Sequence, residues 1–422
     1  MNVLVAGSAP IRQRWRRIAY RRVPGFKYLS HPRAAGIVVR EILRPSRASR
    51  LDNETHMRAA VDWLCRAQDR SASRDGGVSR SYHLIWDPNR GRRGWMSSYP
   101  ETTGYIIPTM FACHAAFRDS ELHRRAVTMA DWTCRIQMDN GAVQGGTIDD
   151  PPVPATFNTG QVIFGWVHAF RRTGEARYLG SAERAARFLT EVQDPDGAWR
   201  RFRSPFVSEE VRRLLEAYTY ETRTAWSLLE VWKITGEPAC RSAARRNLDF
   251  ALTRQRQNGW FSGNCIHDVD HPLLHTIAYA AEGLLESGLI LGEERYVLAA
   301  KKAADALLGQ QRPDGSLAAT FDATWTGSTR WSCLTGDAQM AVLWLRLYQH
   351  TGVQAYREAA KRMNEFLKTT QDMRSGDDGR RGGVAGSHPL NGSYSPFAYL
   401  SWAAKFFVDA LLLQENVDGR VP

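Results

Sequence analysis

Apolar and polar positions along this chain fall into two helical textures. In SAERAARFLTEVQ (181–193), Ala182, Ala185, Ala186, Phe188, Leu189 and Val192 share one side and the charges take the other. That pattern predicts an amphipathic helix lying on a core. The second texture is apolar nearly all round: TTGYIIPTMFACHAAF, NTGQVIFGWVHAF, ETRTAWSLLEVWKI, HTIAYAAEGLLESG, TGDAQMAVLWLRLY and SYSPFAYLSWAAKFFVDALLL. These predict buried helices, and Thr173-Gly174, Thr235-Gly236 and Thr351-Gly352 close three of them before the next amphipathic stretch.

The two textures recur in register. An Asx-Gly pair appears six times, at Asp75-Gly76, Asn140-Gly141, Asp196-Gly197, Asn258-Gly259, Asp314-Gly315 and Asp378-Gly379, spaced 56 to 65 residues apart. A glutamine stands four residues before the glycine in the middle four units (Gln137, Gln193, Gln255, Gln311) and eight before it in the outer two (Gln68, Gln371). Each unit therefore reads as an amphipathic helix, a turn, a loop of roughly 15–25 residues and an apolar helix. Six such hairpins predict an all-α fold, an (α/α)6 toroid over residues 51–422, with the apolar helices inside and the amphipathic ones as an outer belt. A closed ring leaves no end repeat exposed. All six units run in the same sense, so the long loops and the inner-helix N-termini share the face expected to hold a cleft.

The segment RAARFLTEVQDPDGAW, Arg184 to Trp199, resembles the QW repeat of terpene cyclases and related α-toroids. Similar turns occur in toroidal carbohydrate enzymes, including pectate lyases and the helical domain of glucuronyl C5-epimerases. The resemblance implies the ring over its whole length and says little about chemistry. Terpene cyclases of this shape are expected to carry an Asp-x-Asp-Asp proton donor; Asp268-Val269-Asp270-His271 lacks the last aspartate. Protein prenyltransferases need an Asp/Cys/His zinc set, for which Cys265 and Cys333 have no clear partners. Lanthionine-cyclase-like toroids need zinc-binding cysteines at the mouth, whereas Cys113-His114 falls in mid-helix. Sugar chemistry is the branch left best supported.

Composition changes the picture at one end only. Of a net charge of +12 over 422 residues, residues 1–50 carry +11, with 12 basic side chains against the single acid Glu41. The leader, IRQRWRRIAYRRVPGFK at 11–27, has no apolar run that would make it a secretory signal. It reads as a basic strap on the main domain, or as a contact for an anionic membrane surface or a protein partner. A nucleic-acid arm is the less favoured reading. The opening MNVLVAGSAP suggests a strand and turn without a GxGxxG fingerprint. Six scattered cysteines without a CxxC pair suit a reducing compartment, and a cytoplasmic protein peripheral to the membrane is expected. No run of eighteen apolar residues is present.

Candidate chemistry gathers before the inner helices. In WMSSYPETT (95–103), Pro100 fixes a helix start and Glu101 falls in its first turn. Glu101 reads equally as a helix-start acid and as the acid/base of a sugar site beside Tyr99 and Trp95. Tyr220, Glu221 and Arg223 repeat the arrangement two units on. Arg223 suits a substrate carboxylate or an ion pair with Glu221. Asp150 follows Asp149 in a Pro-stiffened loop, and Asn158 and Gln161 open the next helix as caps or hydroxyl readers. His275 takes the place of Glu101 and Glu221 in its unit; the fifth offers Asp337, after Arg330 and Trp331, and the sixth offers Tyr394 and Trp402. His271 and His275, four apart, fall short of a known zinc motif, and no metal or cofactor is expected.

The reading is a carbohydrate-active enzyme for a polysaccharide or oligosaccharide. Hydrolysis leads, with Glu101 as acid/base and Glu221, Asp337 or Asp150 as partner. A uronate-directed lyase or C5-epimerase follows, using Tyr99, Tyr220 or His275 as base and Arg223 or Arg330 to neutralise the carboxylate. An isoprenoid cyclase and a non-catalytic scaffold of glycan biosynthesis or export are the remaining classes.

Overall fold

The structure is a computed structural model and describes residues 32–43, 51–88, 90–205 and 207–420. The expectations for residues 11–27 and for the opening strand and turn lie outside the described residues.

Twelve of the described helices build two concentric rings. The outer belt comprises α2 (Asn53–Asp69), α4 (Ser120–Arg135), α6 (Ala176–Val192), α9 (Pro238–Thr253), α11 (Glu294–Leu308) and α13 (Gln354–Thr370). The inner barrel comprises α3 (Pro100–Phe117), α5 (Thr156–Thr173), α8 (Thr222–Thr235), α10 (Leu274–Leu291), α12 (Leu334–Thr351) and α14 (Ser401–Val417). Helix α1 (Pro32–Leu43) lies outside both rings, and the short α7 (Glu209–Leu214) sits in a mouth loop. The two textures assign the rings correctly. Helix α6 buries Tyr178, Ala182, Ala185, Phe188, Leu189 and Val192 along one stripe, whereas α10 is buried on all sides from Leu274 to Leu285.

Each of the first five inner helices turns into the next outer helix within two residues and packs against it. Gly174, Gly236 and Gly352 adopt left-handed backbone there, and each N–H returns to the helix it closes at 2.8 Å. The last inner helix described, α14, packs on α2, the first helix of the belt. The first belt helix and the last inner helix thus close the ring. Successive inner helices are in contact all the way round, α14 meeting α3.

The recurring glutamines are structural stitches. Each donates its side-chain amide to the turn glycine's carbonyl and to the outer helix of the next unit. Gln193 reaches Gly197 O at 3.0 Å and Ala243 O at 2.9 Å; Gln311 reaches Gly315 O and Ala359 O, both at 2.9 Å. Gln371 makes the equivalent bonds to His56 O (3.2 Å) and Gly382 O (2.7 Å), completing the circle. This corrects the sixth turn by three residues: the left-handed glycine there is Gly382, at φ +80°, not Gly379. The insertion RRG after Asp378-Gly379 displaces the turn from its sequence marker.

On the mouth face, strand β1 (Ser81–Asp87) pairs with β2 (Arg92–Trp95) and with β5 (Ala398–Leu400), tying the first loop to the last. A second pair joins β3 (Ser332–Cys333) to β4 (Ser387–His388). No helix among the described residues is long and apolar enough to cross a membrane.

Candidate active site

A cavity of about 200 Å³ opens at the N-terminal ends of the inner helices. Helix α3 supplies Glu101 and Tyr105 to its wall, with Tyr99 just before the helix; α10 supplies His275 and Tyr279; α14 supplies Trp402. Phe157 and Tyr220 form the side between, and mouth loops contribute Arg80, Ser204, His267 and Tyr394. The inner helices bring these side chains together because they approach at glycines. Gly336 of α12 lies so near α10 that a Cβ there would stand 2.8 Å from the His275 backbone nitrogen.

Glu101 is the carboxyl on the pocket wall. Pro100 starts the helix, placing Glu101 in its first turn, where the free N–H groups favour negative charge. The Tyr99 hydroxyl donates to Glu101 Oε2. Burial pushes the Glu101 pKa up to about 7, against the opposing pull of Tyr99, Arg80 and Arg223. Burial also lifts Tyr99 well above the usual phenol range, which keeps its proton in place as a donor. Glu101 is therefore poised to give or take a proton near neutrality.

Glu221 is as deeply buried but stands off the pocket wall. Its oxygens accept from Thr224 Oγ1 at 2.6 Å and Thr156 Oγ1 at 3.3 Å. Burial raises its pKa to about 7, and the charge of Glu101 adds to the rise. The two carboxyls therefore feel one another, with one of them facing the cavity.

His275 lies across from these groups in ring contact with Tyr279 (4.4 Å between centroids) and Tyr394 (5.8 Å). Its Nδ1 is 2.6 Å from Gln339 Oε1. With that oxygen accepting, Nδ1 carries the hydrogen and Nε2 keeps its lone pair. Burial pulls the imidazole down to about 4, so it is neutral at pH 7.

The floor is closed. Arg223 pairs with Glu282 rather than with Glu221, and its Nε donates to Gln161 Oε1 at 2.7 Å. Its guanidinium lies among aromatic rings, 5.0 Å from the centroid of Tyr279 and 5.4 Å from that of Phe406. Arg223 is thus beneath the pocket, not on its wall, and Gln161 serves to orient it. The cation on the wall is Arg80, its guanidinium 5.2 Å from the Trp402 ring and 5.7 Å from that of Tyr99.

Of the residues singled out in the sequence, Tyr99, Glu101, Tyr220, His275, Tyr394 and Trp402 converge on this cavity. Trp402 Nε1 donates to Tyr394 Oη at 2.9 Å, and Tyr220 stacks on Tyr218 with ring centroids 5.3 Å apart. Asn158 is fully buried beside Tyr99. The others lie elsewhere. Asp337 accepts from Leu317 N at 3.2 Å, as Thr103 accepts from Val78 N and Thr159 from Val143 N, each at 2.9 Å. It is the fifth unit's version of a helix-to-turn cap. Asp150 binds Arg90 at 2.7 Å and Thr147 N at 2.6 Å, joining two mouth loops; burial raises its pKa, but these bonds outweigh that and hold it below the usual carboxylate value. Trp95 packs on Trp63 and Tyr82, Trp331 is sealed in the core, and Arg330 is exposed off the pocket.

Sequence reasoning missed Arg80, Tyr105, Phe157, Ser204, His267 and Tyr279. Tyr105 and Tyr279 were within reach, since each sits one helical turn beyond a recognised residue, Glu101 or His275. Arg80, Ser204 and His267 ride on loops whose course no periodicity encodes. Among the described residues no three His, Cys, Asp or Glu side chains group to hold a metal ion.

No protein-family model matches the sequence, and no curated protein sequence is similar to it. Solved structures are similar in fold. An unsaturated glucuronyl hydrolase specific for heparin superposes with a TM-score of 0.68 at 16% identity, over 87% of this chain and 98% of that one. The unsaturated glucuronyl hydrolase of Bacillus sp. GL1 gives 0.67 at 16% identity, over 85% and 96%. Cellobiose 2-epimerase from Bacillus thermoamylovorans B4167 gives 0.65 at 12% identity, over 85% and 97%. The chain is an (α/α)6 toroid, as its repeats predict.

Proposed function

We propose that the protein is a carbohydrate-active enzyme that hydrolyses the bond between a terminal acidic sugar and the rest of an oligosaccharide. The observation that carries this reading is Glu101: a buried carboxyl with its pKa near 7, facing a blind, aromatic-walled cavity beside the guanidinium of Arg80. A closed floor admits the end of a chain rather than its middle. Tyr99, Phe157, Tyr220 and Trp402 offer apolar faces to the C–H side of a sugar ring, and Arg80 offers charge to a carboxylate.

Glu101 donates the proton, and water completes the addition. Direct cleavage of a saturated glycoside needs two carboxyls flanking the bond, whereas Glu221 is off the pocket wall, held by Thr156 and Thr224. Two similar structures are unsaturated glucuronyl hydrolases, and a uronate unsaturated between C4 and C5 is a vinyl ether. Its double bond takes a proton from one acid, and water then adds to the adjacent carbon. The hemiketal so formed opens and releases the remaining sugar. A single wall carboxyl suits that sequence, so unsaturated uronides are the favoured substrates.

Epimerisation is the second reading, supported by His275, whose Nδ1 contact with Gln339 leaves Nε2 as a base. Mass spectrometry on a panel of saturated uronides, unsaturated uronides and neutral disaccharides in deuterated water separates the two. Cleavage with gain of water supports hydrolysis. Deuterium uptake at carbon without cleavage replaces it with epimerisation, and inertness toward the whole panel removes the sugar-enzyme reading.

A further inference from the structure

We propose that helix α1, outside the ring, is a clasp for the pocket wall, with Glu41 as a positioning residue for Tyr394 and Ser395. Glu41 is the single acidic residue among the first fifty. Its carboxylate accepts from the backbone N–H of Leu390, at 3.1 and 3.0 Å to its two oxygens, and lies 3.7 Å from His388 Nδ1. The helix is seated by Ala34, which is buried, and by Ile37 and Val38 packed against the core.

The segment that Glu41 holds, between β4 and β5, carries part of the pocket. Ser393, Tyr394 and Ser395 line the cavity. Leu390 O accepts from Phe397 N at 2.8 Å, so the residue pinned by Glu41 also closes the loop that presents them. Inside that loop Ser395 and Phe397 have φ of +47° and +57°, left-handed conformations that disfavour side-chain-bearing residues. Ser387 Oγ to Tyr394 O (2.8 Å) and Trp402 Nε1 to Tyr394 Oη (2.9 Å) hold the far side. A loop with two residues in unfavourable backbone needs ties from outside it, and Glu41 supplies one from a helix that the twelve-helix ring does not include.

The mechanical half of this inference stands by itself; its effect on turnover rests on the reading of the pocket given above. The experiment is hydrogen exchange by mass spectrometry on the full chain, comparing wild type with Glu41→Ala and Glu41→Gln. Exchange in peptides covering 387–397 is expected to rise at least tenfold in Glu41→Ala and less in Glu41→Gln, which keeps a neutral acceptor. Peptides covering 156–173 and 334–351 should not change, which shows the ring intact. Wild-type protection of 387–397 in Glu41→Ala overturns the clasp. With a 4,5-unsaturated glucuronyl disaccharide as probe, Glu41→Ala should raise KM about tenfold and leave kcat within twofold, with Glu41→Gln recovering most of the loss. An unchanged KM overturns the positioning role. If the wild type turns over no uronide, the functional reading falls, and the exchange result still decides the clasp.

Discussion

The Tyr99 hydroxyl donates to the Glu101 carboxyl two residues further along the chain, and both groups are buried at the start of the same inner helix. A phenol lifted by burial cannot release its proton near neutrality, so this contact orients Glu101 and favours its charged form against desolvation. Glu101→Gln keeps the shape and removes the transferable proton. Turnover of an unsaturated uronide should fall about 10²–10⁴-fold with the melting temperature unchanged or higher, measured by product release and calorimetry.

Activity should depend on pH in one direction through neutrality. With protonated Glu101 as the proposed donor, the rate should decline as pH rises through about 7. Stability follows the same sign. Glu101 and Glu221 both have folded pKa values near 7, above their usual value of 4.5. Their contribution is therefore present below the ordinary carboxylate range and is lost as pH rises toward 7 and beyond. Urea melts from pH 5 to 8 should show this loss in wild type and a flatter profile in Glu101→Gln/Glu221→Gln.

Arg80 should govern selectivity rather than chemistry. Arg80→Met is expected to raise KM for an acidic disaccharide roughly tenfold or more, a loss of at least about 1.4 kcal/mol, and to leave a neutral analogue nearly unaffected. Equal losses on both would remove Arg80 from substrate recognition.

Beneath the pocket, Arg223 and Glu282 are a buried pair, both under a tenth exposed. Glu282→Leu leaves a guanidinium without its carboxylate and should cost about 3–5 kcal/mol in denaturant unfolding. The double variant Arg223→Met/Glu282→Leu should recover much of that, because neither charge is then stranded.

The turn stitches can be tested at Gly197, which has φ +90° and lies so near the next outer helix that a Cβ would stand 2.2 Å from Arg246 O. Gly197→Ala should cost more than about 2 kcal/mol, seen as a lowered midpoint. Gly180→Ala, in an outer helix where a Cβ would meet the Arg184 guanidinium at an ordinary 3.8 Å, should be neutral or stabilising.

The fold was legible because its signals are local and repeated six times. A glutamine and a left-handed glycine mark each turn, and an insertion blurred only the sixth, where Gly382 replaces Gly379. The site was legible where it rests on helix starts. Glu101, His275 and Trp402 sit within the first turn of their inner helices, so placing the helix places the side chain. Asp337 also begins an inner helix, yet its fourth position points to the preceding turn, where Thr103 and Thr159 stand in other units. Helical register, not residue type, separates the cap from the pocket wall. Arg80, Ser204 and His267 reach the cavity along loops whose paths depend on distant strand pairs such as β1 with β5, a tertiary outcome that one-dimensional pattern does not carry.

The pairing of α14 with α2 has a consequence for how the molecule is made. During synthesis the belt helix 53–69 emerges from the ribosome hundreds of residues before its partner at 401–417. Until that last stretch appears, one flank of the nascent barrel lacks its cover, and chaperones would find their binding surface there. Because the two-residue connections between inner and outer helices lie at the opposite end from the pocket, and Asn53 of α2 donates to Glu415 of α14, the ring could be recut at one connection and closed between α14 and α2. Such a permutant would begin and finish elsewhere yet keep the same pocket.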